Sequence, residues 1–133
     1  MQTAMTARRT AMTRKQIASW ALSGFLSLFL IVDGLARVAK VDVYVEGLVK
    51  AGYPESTGPW IGLVLVACTV VYLVPRTAVL GAILLTGYLG GAVATHVRME
   101  ESNYLFAFAF GVLIWGALYL RDADVRALVG VRR

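Results

Sequence analysis

Residues 78–97 read AVLGAILLTGYLGGAVATHV, twenty consecutive positions without Asp, Glu, Lys or Arg. At about 1.5 Å rise per residue, a helix of that length covers the roughly 30 Å hydrocarbon core of a bilayer. A helix that is apolar all round has no face to offer water, so lipid is its natural solvent. Working outward, Pro75-Arg76-Thr77 makes a tight turn back to WIGLVLVACTVVYLV, residues 60–74. A short loop, residues 98–103, leads forward to YLFAFAFGVLIWGALYL, residues 104–120. A fourth apolar run, IASWALSGFLSLFLIVDGLA, occupies residues 17–36. Four spans joined by short turns predict an all-α, polytopic, antiparallel four-helix transmembrane bundle.

The composition agrees. Of 133 residues, 59% are hydrophobic and 16% charged, where soluble domains average about 45–50% and about 25%. This excludes a disordered chain and a disulfide-stapled secreted domain, and argues against a water-soluble enzyme. The single cysteine, Cys68, excludes an internal disulfide, a CxxC redox pair and a four-cysteine metal site. The net charge of +5 comes from basic residues that flank the spans. There they set orientation and meet anionic headgroups, so nucleic acid is not an expected partner.

Three regions follow. Residues 1–16 read as a flexible basic cytosolic arm, 17–120 as the transmembrane domain and 121–133 as a basic cytosolic tail. Within the domain, residues 37–59 form an amphipathic outer segment, with Val38, Val41, Val45, Leu48 and Val49 at helical spacing. With both termini inside, nine basic residues face the cytosol and four (Arg37, Lys40, Lys50 and Arg98) face out, as the positive-inside rule requires. Trp60 and Tyr104 then belong to an outer aromatic belt, and Trp20, Tyr72 and Tyr119 to an inner one.

That orientation gathers the scarce ionisable groups in one outer layer. Asp33 sits within a span, where a carboxylate persists through pairing, a wet cavity or proton chemistry. Arg37 and Lys40 follow it at i+4 and i+7, offering an ion pair if the helix continues. His96, the only imidazole, has Glu100 at i+4. It can shuttle protons or hydrogen-bond a quinone, but one imidazole per chain excludes a bis-histidine haem. Asp33 and His96 are therefore a candidate proton-exchange pair. Arg37, Lys40, Glu46, Thr86, Tyr88, Arg98 and Glu100 are candidate ligand contacts. Gly87, Gly91 and Thr95 recur every four residues and predict close helix packing; Ser19, Ser23 and Ser27 make a second small stripe. No metal site and no cofactor is expected.

Residues 72–98, YLVPRTAVLGAILLTGYLGGAVATHVR, resemble the signature of the DoxX-like family of small bacterial membrane proteins. Asp33-Gly34 with Lys40, and Gly52-Tyr53-Pro54, are similar to the same family. The resemblance implies a four-helix bundle in the bacterial inner membrane. It also implies an association with thiosulfate:quinone oxidoreductase or with an oxidative-stress membrane complex. Three functional readings stay open. The chain is an accessory or binding subunit of a membrane redox or stress-linked assembly, an enzyme acting on a quinone-like or other hydrophobic molecule, or an oligomeric transporter. The expected partners are the bilayer, a second copy or a redox protein, and a lipid-soluble ligand.

Overall fold

A computed structural model describes residues 14–129. Four long helices carry the fold: α1 (Arg14–Val38), α3 (Gly58–Leu73), α4 (Ala78–Arg98) and α5 (Tyr104–Arg121). A short helix, α2 (Asp42–Lys50), lies between the first two, and α6 (Ala123–Val129) ends the described chain. Each long helix, with its flanking turn where present, is apolar and long enough to cross a membrane. The helices run antiparallel in a ring, α1 against α3, α3 against α4, α4 against α5 and α5 back against α1.

The ring is closed around Leu26, Leu65, Tyr72, Leu85, Ile114 and Leu118, all buried. Large apolar side chains also point outward: Phe25, Leu28, Trp60 and Phe108 are each more than 60% exposed. In water such a surface would aggregate, and in lipid it is ordinary. Without a hydrophobic force between helices, small residues and internal hydrogen bonds must hold them. The serine stripe of α1 does this: Ser19 donates to the Ala117 carbonyl (2.6 Å), and Ser23 lies 3.4 Å from the Tyr72 hydroxyl. Tyr72 is no belt residue. It is fully buried, and its hydroxyl donates to the Ile114 carbonyl at 2.9 Å.

The close-approach glycines are not the expected ones. A Cβ at Gly87 or Gly91 would meet nothing within 4 Å, so within this chain neither packs a helix. Close approach occurs at Gly34 and Gly62, where α1 meets α3, and at Gly81, where α4 meets the backbone of Tyr72.

In the outer segment the first helix stops at Val38, and a separate short helix, α2, starts at Asp42. Three helices end in the same way at this capped end of the bundle. Lys40, Gly52 and Glu100 have φ of 57°, 90° and 59°. Around each, two backbone N–H groups fold back on the last turn: Lys40 and Val41 to Arg37 and Ala36, Gly52 and Tyr53 to Val49 and Leu48, Glu100 and Glu101 to Val97 and His96. These are Schellman caps, which satisfy carbonyls that the helix end leaves open. At the opposite end, residues 14–16, expected in a flexible arm, are helical, and α6 stands where a tail was expected. The rest of that arm, residues 1–13, and residues 130–133 lie outside the described residues.

Candidate functional site

The caps decide where the polar residues go. Because α1 ends at Val38, Lys40 is not on the Asp33 face at i+7, and its side chain is exposed. Arg37, still helical, donates from Nε to the Asp33 Oδ2 at 3.0 Å, and its guanidinium lies 5.0 Å from the Tyr44 ring centre on α2. The expected i+4 pair therefore forms, joined by a cation–π contact from the overlying helix. Burial, and then the Asp33 carboxylate, push the Tyr44 phenol above its ordinary value, with Arg37 pulling the other way.

The cap on α4 reverses the expected partner of His96. Glu100 occupies the left-handed position and is exposed, which turns Glu101 back over the helix end. His96 Nδ1 lies 3.1 Å from one Glu101 oxygen, and Lys50 Nζ lies 3.4 Å from the other. Bonding from His96, and then from Lys50, holds the Glu101 carboxyl below its usual range. Arg98 donates to the Ala51 carbonyl, and the Tyr53 and Thr95 hydroxyls meet at 3.0 Å. The C-terminal end of α2 is thus clamped to the C-terminal end of α4 by three contacts.

Beneath α2 lies a cavity of about 610 Å³. Tyr44, Gly47, Leu48 and Ala51 line it from α2 and its end; Arg37, Ile61, Tyr88, Gly91, Ala92, Thr95 and His96 line it from the long helices. Arg37, Tyr88 and His96 are the predicted site residues that it brings together, with Gly91 and Thr95 serving as its wall. The missing side chain at Gly91 leaves space in the cavity and admits no neighbouring helix. Asp33 is not among the lining residues and acts behind Arg37, so the cavity does not join Asp33 directly to His96.

The remaining candidates lie apart from the cavity lining. Lys40 lines a narrow cleft on the Glu55–Pro59 side of α2, and Glu46 is exposed. Thr86 donates to the Ala82 carbonyl and receives the Trp115 indole N–H at 2.7 Å, which ties α4 to α5. Arg98 serves the clamp, and Glu100 borders only an open surface groove. Among the described residues no three of His, Cys, Asp and Glu converge as metal ligands would. Tyr44, Lys50, Tyr53 and Glu101 also line the cavity, and the sequence does not single them out as ligand contacts. A helix-end signal at Glu100 was the missing clue, and only glycine at such a position announces itself.

Comparison with known proteins yields a single finding, since neither curated proteins nor solved structures give a match. The pattern of the DoxX-like family matches residues 21–117, from within α1 to within α5, and covers every lining residue of the cavity. With four apolar helices in an antiparallel ring and well over half of its length matched, this chain is a multi-pass membrane protein that belongs to the DoxX-like family.

Proposed function

We propose that the protein binds a lipid-soluble small molecule beneath α2, as a binding or accessory subunit of a membrane redox or stress-linked assembly. One observation carries this reading: a cavity of about 610 Å³ in which apolar residues such as Leu48, Ile61 and Ala92 share the wall with Arg37, Tyr88 and His96 and with Tyr44, Lys50, Tyr53 and Glu101 at its α2 side and rim. Pockets of about 300–1,000 Å³ with a few convergent polar groups suit drug-sized ligands. A quinone-like headgroup, with carbonyls that accept hydrogen bonds, matches a guanidinium, a phenol and an imidazole. In the bacterial inner membrane, with the termini in the cytosol, the cavity opens at the outer leaflet. The Glu101–His96 pair favours one second reading, an enzyme in which that imidazole exchanges protons with the bound molecule.

The test is a thermal-stability titration of the purified protein in detergent with decylubiquinone. Stabilisation is expected for wild type and for Lys40→Gln, and not for Arg37→Gln or for His96→Ala. Equal stabilisation of all four proteins would refute the binding reading. Oxidation of added decylubiquinol by ferricyanide supplied as the electron acceptor, catalysed by wild type and lost in His96→Ala, would select the enzyme reading over the subunit.

A further inference from the structure

We propose that the end of the bundle opposite α2 holds the phosphate of an anionic phospholipid. A groove of about 360 Å³ there is lined by Lys15, Gln16, Tyr119, Leu120, Arg121 and Arg126. Among the described residues, none of its three cations pairs with a carboxylate. The ion pairs all lie at the other end of the molecule. Arg121 donates to the Ser23 hydroxyl (3.0 Å) and the Tyr72 carbonyl (3.5 Å), and stacks on Trp20 with 4.3 Å to the ring centre. Arg126 donates to the Tyr119 and Leu120 carbonyls, each at 2.9 Å. Every one of these partners is neutral, so the two arginines are held in place and, among the described residues, none of the three cations has an ion-pair partner.

Asp122, next to Arg121 in sequence, makes no ion pair with them among the described residues: its Oδ1 accepts from the backbone N–H groups of Asp124 and Val125, where it starts α6. Asp124 is exposed beyond that turn. The groove lies where the candidate spans of α1 and α5 end, with Tyr119 in its lining and Trp20 stacked on Arg121, as aromatics at a membrane interface are placed. Ile17 on α1 and Val112 on α5, the two long helices that line the groove, are exposed apolar residues of the candidate spans. A phosphodiester fits this chemistry, because guanidinium and ammonium donors meet its oxygens with charge-assisted hydrogen bonds. Because the groove lies at the ends of two candidate membrane spans, a phospholipid is favoured over a free anion.

The experiment reconstitutes the full chain in vesicles of phosphatidylcholine with 20% phosphatidylglycerol, releases it into mild detergent and counts retained lipid by native mass spectrometry. Wild type is expected to retain phosphatidylglycerol over phosphatidylcholine. The exposed pair Lys15→Gln/Arg126→Gln is expected to lower that preference about fivefold per charge removed. Lys40→Gln, which removes an exposed charge at the other end, is expected to leave it unchanged. Undiminished preference in the Lys15/Arg126 pair, or an equal loss per charge in Lys40→Gln, would overturn the proposal. So would saturation of wild type by glycerol phosphate with no preference for the lipid. Arg121→Gln tests the stacked cation separately, and helicity by circular dichroism shows whether it has folded.

Discussion

Replacing Gly81 by Ala adds one methyl group at the tightest point between α3 and α4. The new Cβ would lie 2.7 Å from Tyr72 Cβ and closer still to the Tyr72 backbone nitrogen and α-carbon. Carbon atoms pack best at about 3.5–4.0 Å, so the helices must part by about 1 Å. No flexible side chain can yield instead, since the obstacle is backbone. A gap of that size forfeits a quarter to a half of each dispersion contact it opens. It also pulls Tyr72 away from the Ile114 carbonyl and Ser23 hydroxyl that it meets across the core. Overpacking of this kind costs about 1–3 kcal/mol, and loss of the Tyr72 bonds places the change at the upper end. Gly91→Ala is the internal reference. Its Cβ meets nothing, and alanine is favoured over glycine in a helix by about 1 kcal/mol. The two variants should therefore differ by about 4 kcal/mol in opposite directions from wild type, read as denaturation by sodium dodecyl sulfate in mixed micelles. If Gly81→Ala unfolds within 1 kcal/mol of Gly91→Ala, the packing argument fails.

Two further outcomes are expected. Lys40→Gly should raise stability by about 1 kcal/mol in the same assay, because glycine occupies a left-handed helix cap without the Cβ penalty that lysine bears; a loss of stability would show that the Lys40 side chain contributes more than its strain. Acid should loosen α2. The Glu101 carboxyl is held below its usual range in the folded protein, so its clamp is fully present above the unfolded carboxylate pKa and is lost as pH falls through the lower folded value. Amide hydrogen exchange over residues 42–53, corrected for intrinsic rate, should rise on passing below the ordinary carboxylate range in wild type. It should be fast at neutral pH in Glu101→Gln, and an unchanged rate in that variant would remove the clamp from the account.

Spans were legible because lipid imposes one rule on every residue of a crossing helix. The segment Ala78–Arg98 contains no charge until its last residue, and its start and end follow from Thr77 and Arg98. The Asp33–Arg37 pair was legible too, since both residues lie within one uninterrupted helix. What failed was each inference that needed the helix end to be known first. Asp33 to Lys40 and His96 to Glu100 assumed continued helix, and a left-handed residue at Lys40 and at Glu100 broke both registers. Glycine spacing misled for a related reason. Gly87 and Gly91 share a face with each other, but which helix a face meets depends on the ring order, and their face meets the cavity side and open space. Gly81 looked unremarkable in sequence because its partner, Tyr72, lies across a turn whose geometry Pro75 and Thr77 set, with Thr77 Oγ1 donating to the Val71 carbonyl at 2.8 Å.

The serine stripe of α1 has a consequence for biogenesis. Ser19 is joined to Ala117, and Ser23 to Arg121, each across 98 residues of chain. On a ribosome the first span enters the bilayer long before the last has been made. Until then its hydroxyls face hydrocarbon or find provisional partners, and the ring stands open along one seam. Insertion of the final span closes that seam, so a nascent chain arrested before residue 104 presents a polar groove to any neighbouring helix or insertion factor able to occupy it.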